Sequence, residues 1–191
     1  MFVGEIFWTV TIGFAVVGTL GYALSIYNGL VALRNNIGRS WANIDVLLKQ
    51  RHDELPKLVK TCEGYMRHER GVFDKLSEAR AALAGATTVA ERAGAEGMLN
   101  RALGAIFAVA EAYPDLKANQ SFIQLQNRIS ELENQIADRR EFYNDTVTTF
   151  NTRIQQLPDR FVADMLTCVP AELFQVEAED RRDVEIKFEA A

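Results

Sequence analysis

The chain opens with a stretch in which apolar residues keep no face free for polar ones. From Ile6 to Leu33 no side chain carries a charge, and the most apolar part, Ile6 to Tyr27, runs for 22 residues. At 1.5 Å per residue this is about 33 Å of helix, close to the thickness of a bilayer's hydrocarbon core. Trp8 stands near one end and Tyr22 and Tyr27 toward the other, where interfacial aromatics settle. The segment therefore reads as a membrane span. A cleaved signal peptide is the competing reading, with Gly21-Tyr22-Ala23 as a small-x-small site. The residues before the run include no Lys or Arg, and the run outlasts an ordinary signal core, which favours a retained anchor. Ala15, Thr19 and Ala23 form a ridge of small residues at four-residue spacing within it, the pattern that lets spanning helices approach closely.

Beyond the span the pattern becomes a stripe. Ile37, Trp41, Ile44, Leu48, Arg51, Leu55, Leu58, Cys62, Tyr65, Glu69, Val72, Leu76, Ala79 and Leu83 follow one another at alternating steps of four and three. A strand has a period of two, so this rhythm predicts helix. Pro56 falls inside it and should end or kink the helix near Leu55, giving two nearly collinear pieces. A turn is expected around Gly85 to Thr88, with Thr87 or Thr88 capping a second helix. That helix carries Leu99, Ala102, Leu103, Ile106, Val109, Ala110 and Tyr113 on its apolar face, and Pro114 should end it. Asn119 is placed to cap a third helix, whose stripe runs from Phe122 through Leu125, Ile129, Leu132 and Ile136 to Tyr143, Val147, Phe150, Ile154 and Leu157, with Pro158 as the stop. Arg139 takes the skipped position between Ile136 and Tyr143, a stutter that locally unwinds a coiled coil. Long striped helices joined by short loops hide their seams by lying antiparallel. The expected fold is all-α: an N-terminal transmembrane helix, then an elongated antiparallel bundle of long helices, then a short extended tail. The corresponding boundaries are residues 1–33 for the anchor, 34–168 for the bundle and 169–191 for the tail. Val184, Ile186 and Phe188 alternate with Glu185 and Lys187 in a strand-like way.

Charge changes the picture in three places. The net charge of −5 is carried mostly at the C-terminal end, where seven acids from Glu172 onward face Arg181, Arg182 and Lys187. The stretch between anchor and tail is about neutral, with no basic block interleaved with aromatics, so nucleic acid is not an expected partner. Arg34 and Arg39 follow the span before any acid, which by the positive-inside rule puts the bundle in the cytoplasm and the N-terminus outside.

Candidate chemistry is sparse. Two cysteines, Cys62 and Cys168, are too few for a disulfide framework, and with His52 and His68 they lack the close pairwise spacing of a Cys/His zinc site. There is no phosphate loop, nucleophile elbow or HExxH helix. Asp45, Arg51, His52 and Asp53, with His68 and Glu69 further on, make the nearest approach to an acid–base constellation. The structural reading of the same residues is stronger: Arg51 and Glu69 stand on the apolar stripe as an ion pair that fixes register, and the histidines are surface neighbours. Arg139, Arg140 and Asn144 interrupt the third helix in the same way, with Arg139 positioned to meet Glu69 or Asp45. Asp45, Arg51, Glu69, Arg80, Arg139 and Asn144 are thus expected to form an ordered polar network, and no catalytic, cofactor or metal residues are assigned.

Several short motifs together resemble the LemA family. They are Tyr27-Asn28-Gly29-Leu30-Val31 after the span, the run from Ile44 to Asp53, Gly64-Tyr65 with His68-Glu69, and Ala79-Arg80. They continue with Tyr113 to Asn119 followed by Phe122, then Arg139-Arg140, Tyr143-Asn144 and Phe150-Asn151. The likeness extends from the span to Phe174. It implies a bacterial single-span membrane protein with a long antiparallel helical bundle and no assigned enzymatic activity, one branch of the family being linked to building magnetosome membranes. Where the family pattern reads Leu-Ile-Pro-Asn-Leu-Val, this chain has Glu54-Leu55-Pro56-Lys57-Leu58-Val59, which keeps the proline and changes the surface. The function expected from all of this is a non-enzymatic scaffold or adaptor at the bacterial inner membrane. Its expected partners are the lipid bilayer, further copies of itself, and a membrane protein. A regulatory subunit of a membrane protease or signalling system is the alternative, and a His/carboxylate hydrolase the remoter one.

Overall fold

A computed structural model describes residues 2–175. Among the described residues every regular element is a helix: α1 Phe2–Glu63, α2 Arg70–Gly85, α3 Val89–Ala110, α4 Pro114–Lys117, α5 Gln120–Arg153 and α6 Asp159–Met165. The all-α fold, with one long apolar N-terminal helix and bundle-like packing, is as the periodicity predicts. The strand-like alternation at Val184, Ile186 and Phe188 lies outside the described residues.

The first helix departs from expectation at Pro56, which neither ends nor splits it. Proline removes one rung of the helical ladder, and here it sits on an exposed face while Leu55 and Leu58 beside it are fully buried. Their packing carries the helix through to Glu63. The break comes instead at residues 64–69, where the Tyr65 and Met66 amides both donate to the Cys62 carbonyl at 2.9 Å and the chain turns. The 4-3 rhythm runs across this turn without registering it.

Two compact units are formed, residues 2–42 with 142–171, and residues 43–141 with 172–175. In the first, Ile26 and Leu30 of α1 pack with Phe150 and Ile154 of α5 and with Ala163 of α6. Trp41 meets Tyr143 with ring centroids 5.5 Å apart. Later residues of α1 thus face earlier residues of α5, the antiparallel arrangement expected. The helix α6 was not foreseen: at seven residues it is too short to show a period. Beyond it, the Asn151 side-chain amide donates to the Ala171 carbonyl at 2.9 Å and its oxygen accepts from the Ala171 amide at 2.8 Å.

In the second unit the core gathers Leu55, Leu58 and Cys62 of α1, Leu76 and Ala79 of α2, Leu99, Leu103 and Ile106 of α3, Leu116 of α4, and Phe122 and Ile129 of α5. Local signals place the helix starts. Thr88 accepts from the Glu91 amide at 3.1 Å while the Glu91 carboxylate accepts from the Thr88 amide at 3.1 Å, a closed capping box. The Asn119 side-chain oxygen accepts from the Ser121 and Phe122 amides and caps α5. Pro114 does not close α3, which ends at Ala110, but opens the single turn of α4. Proline has no N–H to leave unpaired, so a first helical turn suits it.

Candidate functional site

The second unit is organised around a charge. Arg51 lies on the buried stripe of α1 and is 1% exposed, and its Nη2 pairs with the carboxylate of Glu96 on α3, itself 0% exposed. Its Nη1 donates to the Asn100 side-chain oxygen at 2.9 Å and stands 3.7 Å from Glu133 on α5. Burial pulls the Arg51 guanidinium down to about 10, with Glu133 acting in the opposite direction. It remains charged at neutral pH. Arg51 Nε and Glu96 Oε1 make no hydrogen bond among the described residues. An ion pair taken out of water with donors and acceptors left over adds little net stability, but removing one member strands the other charge. The arrangement therefore selects one register of α1, α3 and α5.

Arg51 is the network residue whose burial the stripe foretold, but its partner differs from the expected Glu69. Glu69 is half-buried at the turn after α1 and accepts a hydrogen bond from the Tyr113 hydroxyl at 3.2 Å. Burial, and then the neighbouring carboxylate, push that phenol up. Nearby, the Asn119 amide donates to the Tyr65 hydroxyl at 3.2 Å. The residues behind the family resemblance in these two loops thus meet one another. Asp45 is exposed and pairs with Arg92 of α3, so Arg139 meets neither Glu69 nor Asp45. Arg139 is itself exposed and lines a groove with Asn43, Val46, Leu47, Gln135 and Asp138. Its neighbour Arg140 takes the inward position: it is half-buried, with its guanidinium carbon 5.4 Å from the centre of the Phe174 ring. Burial lowers the Arg140 pKa and raises that of Glu133. Arg80 and Asn144 are half-buried, and Arg80 Nε makes no hydrogen bond among the described residues.

Glu96 was missed although the signal was present. Glu96, Leu99, Leu103, Ile106 and Ala110 are spaced three, four, three and four, so the acid sits on the apolar stripe of α3 as Arg51 does on that of α1. Followed only from Leu99 onward, the stripe omits it.

Acid–base groups do not converge. His52 is half-buried in a groove with Asp45, Lys49, Leu83 and Arg92, whereas His68 is exposed on the turn after α1. Among the described residues no three His, Cys, Asp or Glu side chains are placed to hold a metal ion. Cys62 is fully buried, and burial pushes its thiol up to about 11.

The first unit carries the other notable surface. Large apolar residues stand open along the start of α1: Phe14 is 77% exposed, Val17 69% and Leu24 63%. Thr9, Thr11 and Thr19 turn their hydroxyls back onto carbonyls one helical turn earlier, Thr19 onto Ala15 at 2.8 Å. This hides their polar atoms within the helix. Ala15 and Thr19 are exposed and Ala23 is half-buried. α1 is long and apolar enough to cross a membrane, and it is the one such helix among the described residues.

An all-α protein with one membrane-length apolar helix and a helical unit pinned by a buried ion pair is the class these features define. The chain belongs to the LemA family, whose sequence model matches residues 40–188. It is similar to the protein LemA of Metamycoplasma hominis, 27% identical over 175 residues that cover 87% of this chain and 78% of the relative. It is also similar to the magnetosome protein MamQ 2 of Paramagnetospirillum magneticum, 26% identical over 187 residues, 84% of this chain and 69% of the relative. The magnetosome protein MamQ of Magnetospirillum gryphiswaldense is 23% identical over 163 residues, 72% of this chain and 60% of the relative.

Proposed function

We propose that this chain is a membrane-anchored, non-enzymatic scaffold or adaptor of the bacterial inner membrane. Residues 6–27 hold it in the bilayer, and its helical units bind further copies of itself or a membrane protein partner. The observation that carries the reading is the open apolar surface at the start of α1. A surface of that extent, with its hydroxyls turned inward, is stable in lipid and costly in water. The interior supports a structural role as well, because Arg51 and Glu96 are committed to each other. The kinship with magnetosome proteins fits a task at a membrane. Arg34 and Arg39 orient the anchor with the bundle in the cytoplasm.

Self-association through Ala15, Thr19 and Ala23 is tested by disulfide trapping in native membranes, with Cys62 and Cys168 replaced by serine. Thr19→Cys is expected to give crosslinked dimers, and Val17→Cys, on the other side of the helix, is not. Equal crosslinking at both positions would reject the ridge as an interface. Orientation is read from a C-terminal reporter active only in the cytoplasm, and partners from mass spectrometry of what co-purifies from native membranes.

A further inference from the structure

The short helix α6 carries apolar residues on two sides, beside the charged Asp159, Arg160 and Asp164. Val162, Ala163 and Leu166 turn inward against the cluster formed by Ile26, Leu30, Phe150 and Ile154. On the other side Phe161 and Met165, one helical turn apart, are 67% and 86% exposed, and Leu157 in the preceding turn is 70% exposed. Large apolar side chains left open like this mark a surface for another protein or for lipid, and here Arg160 and Asp164 border it.

Its height along α1 tells which. The Nη1 atom of Arg153 lies 2.9 Å from where a Cβ on Gly29 would stand, so the end of α5 is level with Gly29. Gly29 is two residues past Tyr27, about 3 Å of helix rise beyond the apolar run. Arg153 binds Asp159 at 2.6 Å, which holds the start of α6 at the same height. The segment after α6, Thr167 to Ala171, lines a groove with Arg34 and Ile37, further from the span. α6 therefore begins at the level where the span ends and climbs away from it. Leu157 and Phe161 lie at the foot of that climb. Arg160, 64% exposed and 3.8 Å from the exposed Asp164, and the exposed Arg34 lie along the same climb.

We propose that Leu157, Phe161 and Met165 form a foot bedded in the boundary between headgroups and acyl chains of the leaflet from which α1 emerges. Lipid is favoured over a second copy because the patch lies at the height where the apolar run of α1 ends. Apolar anchors flanked by arginines are the composition that interfacial helices use. The inference rests on residues 6–27 spanning the membrane.

The test reads depth by tryptophan quenching in the full chain, reconstituted in phosphatidylcholine vesicles with or without bromine in the upper acyl chain. The variant Trp41→Phe leaves Trp8 as reporter of the span. Phe161→Trp in a Trp8→Phe/Trp41→Phe background reports the foot, and Met165→Trp in that background is a second reporter at a more exposed position. The expected result is bromine quenching of Trp8 and of at least one foot reporter, with blue-shifted emission from the quenched foot reporter. Quenching of Trp8 with neither foot reporter quenched overturns the foot and leaves the span standing. Blue-shifted but unquenched foot emission assigns the face to protein contact and also overturns it. An unquenched Trp8 removes the span and the foot with it.

Discussion

The two ends of α1 treat charge in opposite ways. From Ile6 to Leu33 the helix carries none, although most of its side chains are open; further on it carries Arg51, which is almost wholly enclosed. The backbone is the same helix throughout. On the proposed anchoring, what differs is the surrounding medium. In lipid a charge finds no partner, so the sequence avoids it on every face. In a packed interior a charge is tolerated when a counter-charge is built on a facing helix, and Glu96 is that counter-charge. The pattern of apolar positions, all round or confined to a stripe, thus records which medium each part of a helix meets.

The largest expected effect comes from breaking the partnership. Arg51→Ala strands Glu96 and should cost about 3–5 kcal/mol in urea unfolding of the detergent-solubilised chain. The double replacement Arg51→Met/Glu96→Leu should recover most of that loss. If the double variant is as damaged as the single, Glu96 is not the counter-charge. Two exposed valines sharpen the contrast next. Val17→Arg places a charge near the middle of the span and should cost about 2.5–3.5 kcal/mol of insertion free energy, read as a fall in the membrane-integrated fraction after carbonate extraction. Val46→Arg, a like change on an exposed face in the second unit, should shift unfolding by less than about 0.5 kcal/mol.

Smaller effects follow from the helix start and from pH. Thr88→Ala opens the capping box of α3 and should lower stability by about 1 kcal/mol, measured by urea unfolding. Glu133 is pushed above the ordinary carboxylate range chiefly by burial, so between its unfolded and folded pKa values the native chain binds more protons than the unfolded one. Its contribution is therefore most favourable below the unfolded pKa and is lost as pH rises through the folded value. Glu133→Gln should accordingly be the more stable protein at neutral pH, with the difference shrinking as pH falls from the folded value to the unfolded one. A constant difference across that range would show that Glu133 does not titrate as its burial demands.

Much of this was legible before any coordinates. The uncharged run, the stripes, and the caps at Thr88 and Asn119 each rest on local physics, since a cap needs only its own first turn. Pro56 misleads when a proline is weighed alone: the stripe already puts Leu55 and Leu58 inward with Pro56 off it, and their packing outweighs one lost bond. Arg139 and Arg140 are adjacent, and an interruption in the rhythm does not tell which of the two turns inward. The Arg51–Glu96 pair needed a stripe to be followed one turn further back, but choosing between Glu69 and Glu96 as the partner required knowing which helices meet. The outward face of α6 had no clear local signal, because seven residues that mix Asp159, Arg160 and Asp164 with apolar ones are too few to show a period.

Asn151 gives both the donor and the acceptor of its amide to one backbone residue, Ala171. The pair works as a clasp that closes the loop containing α6 into a ring. A pull applied to the chain beyond Ala171 therefore meets α5 at Asn151 before it reaches α6.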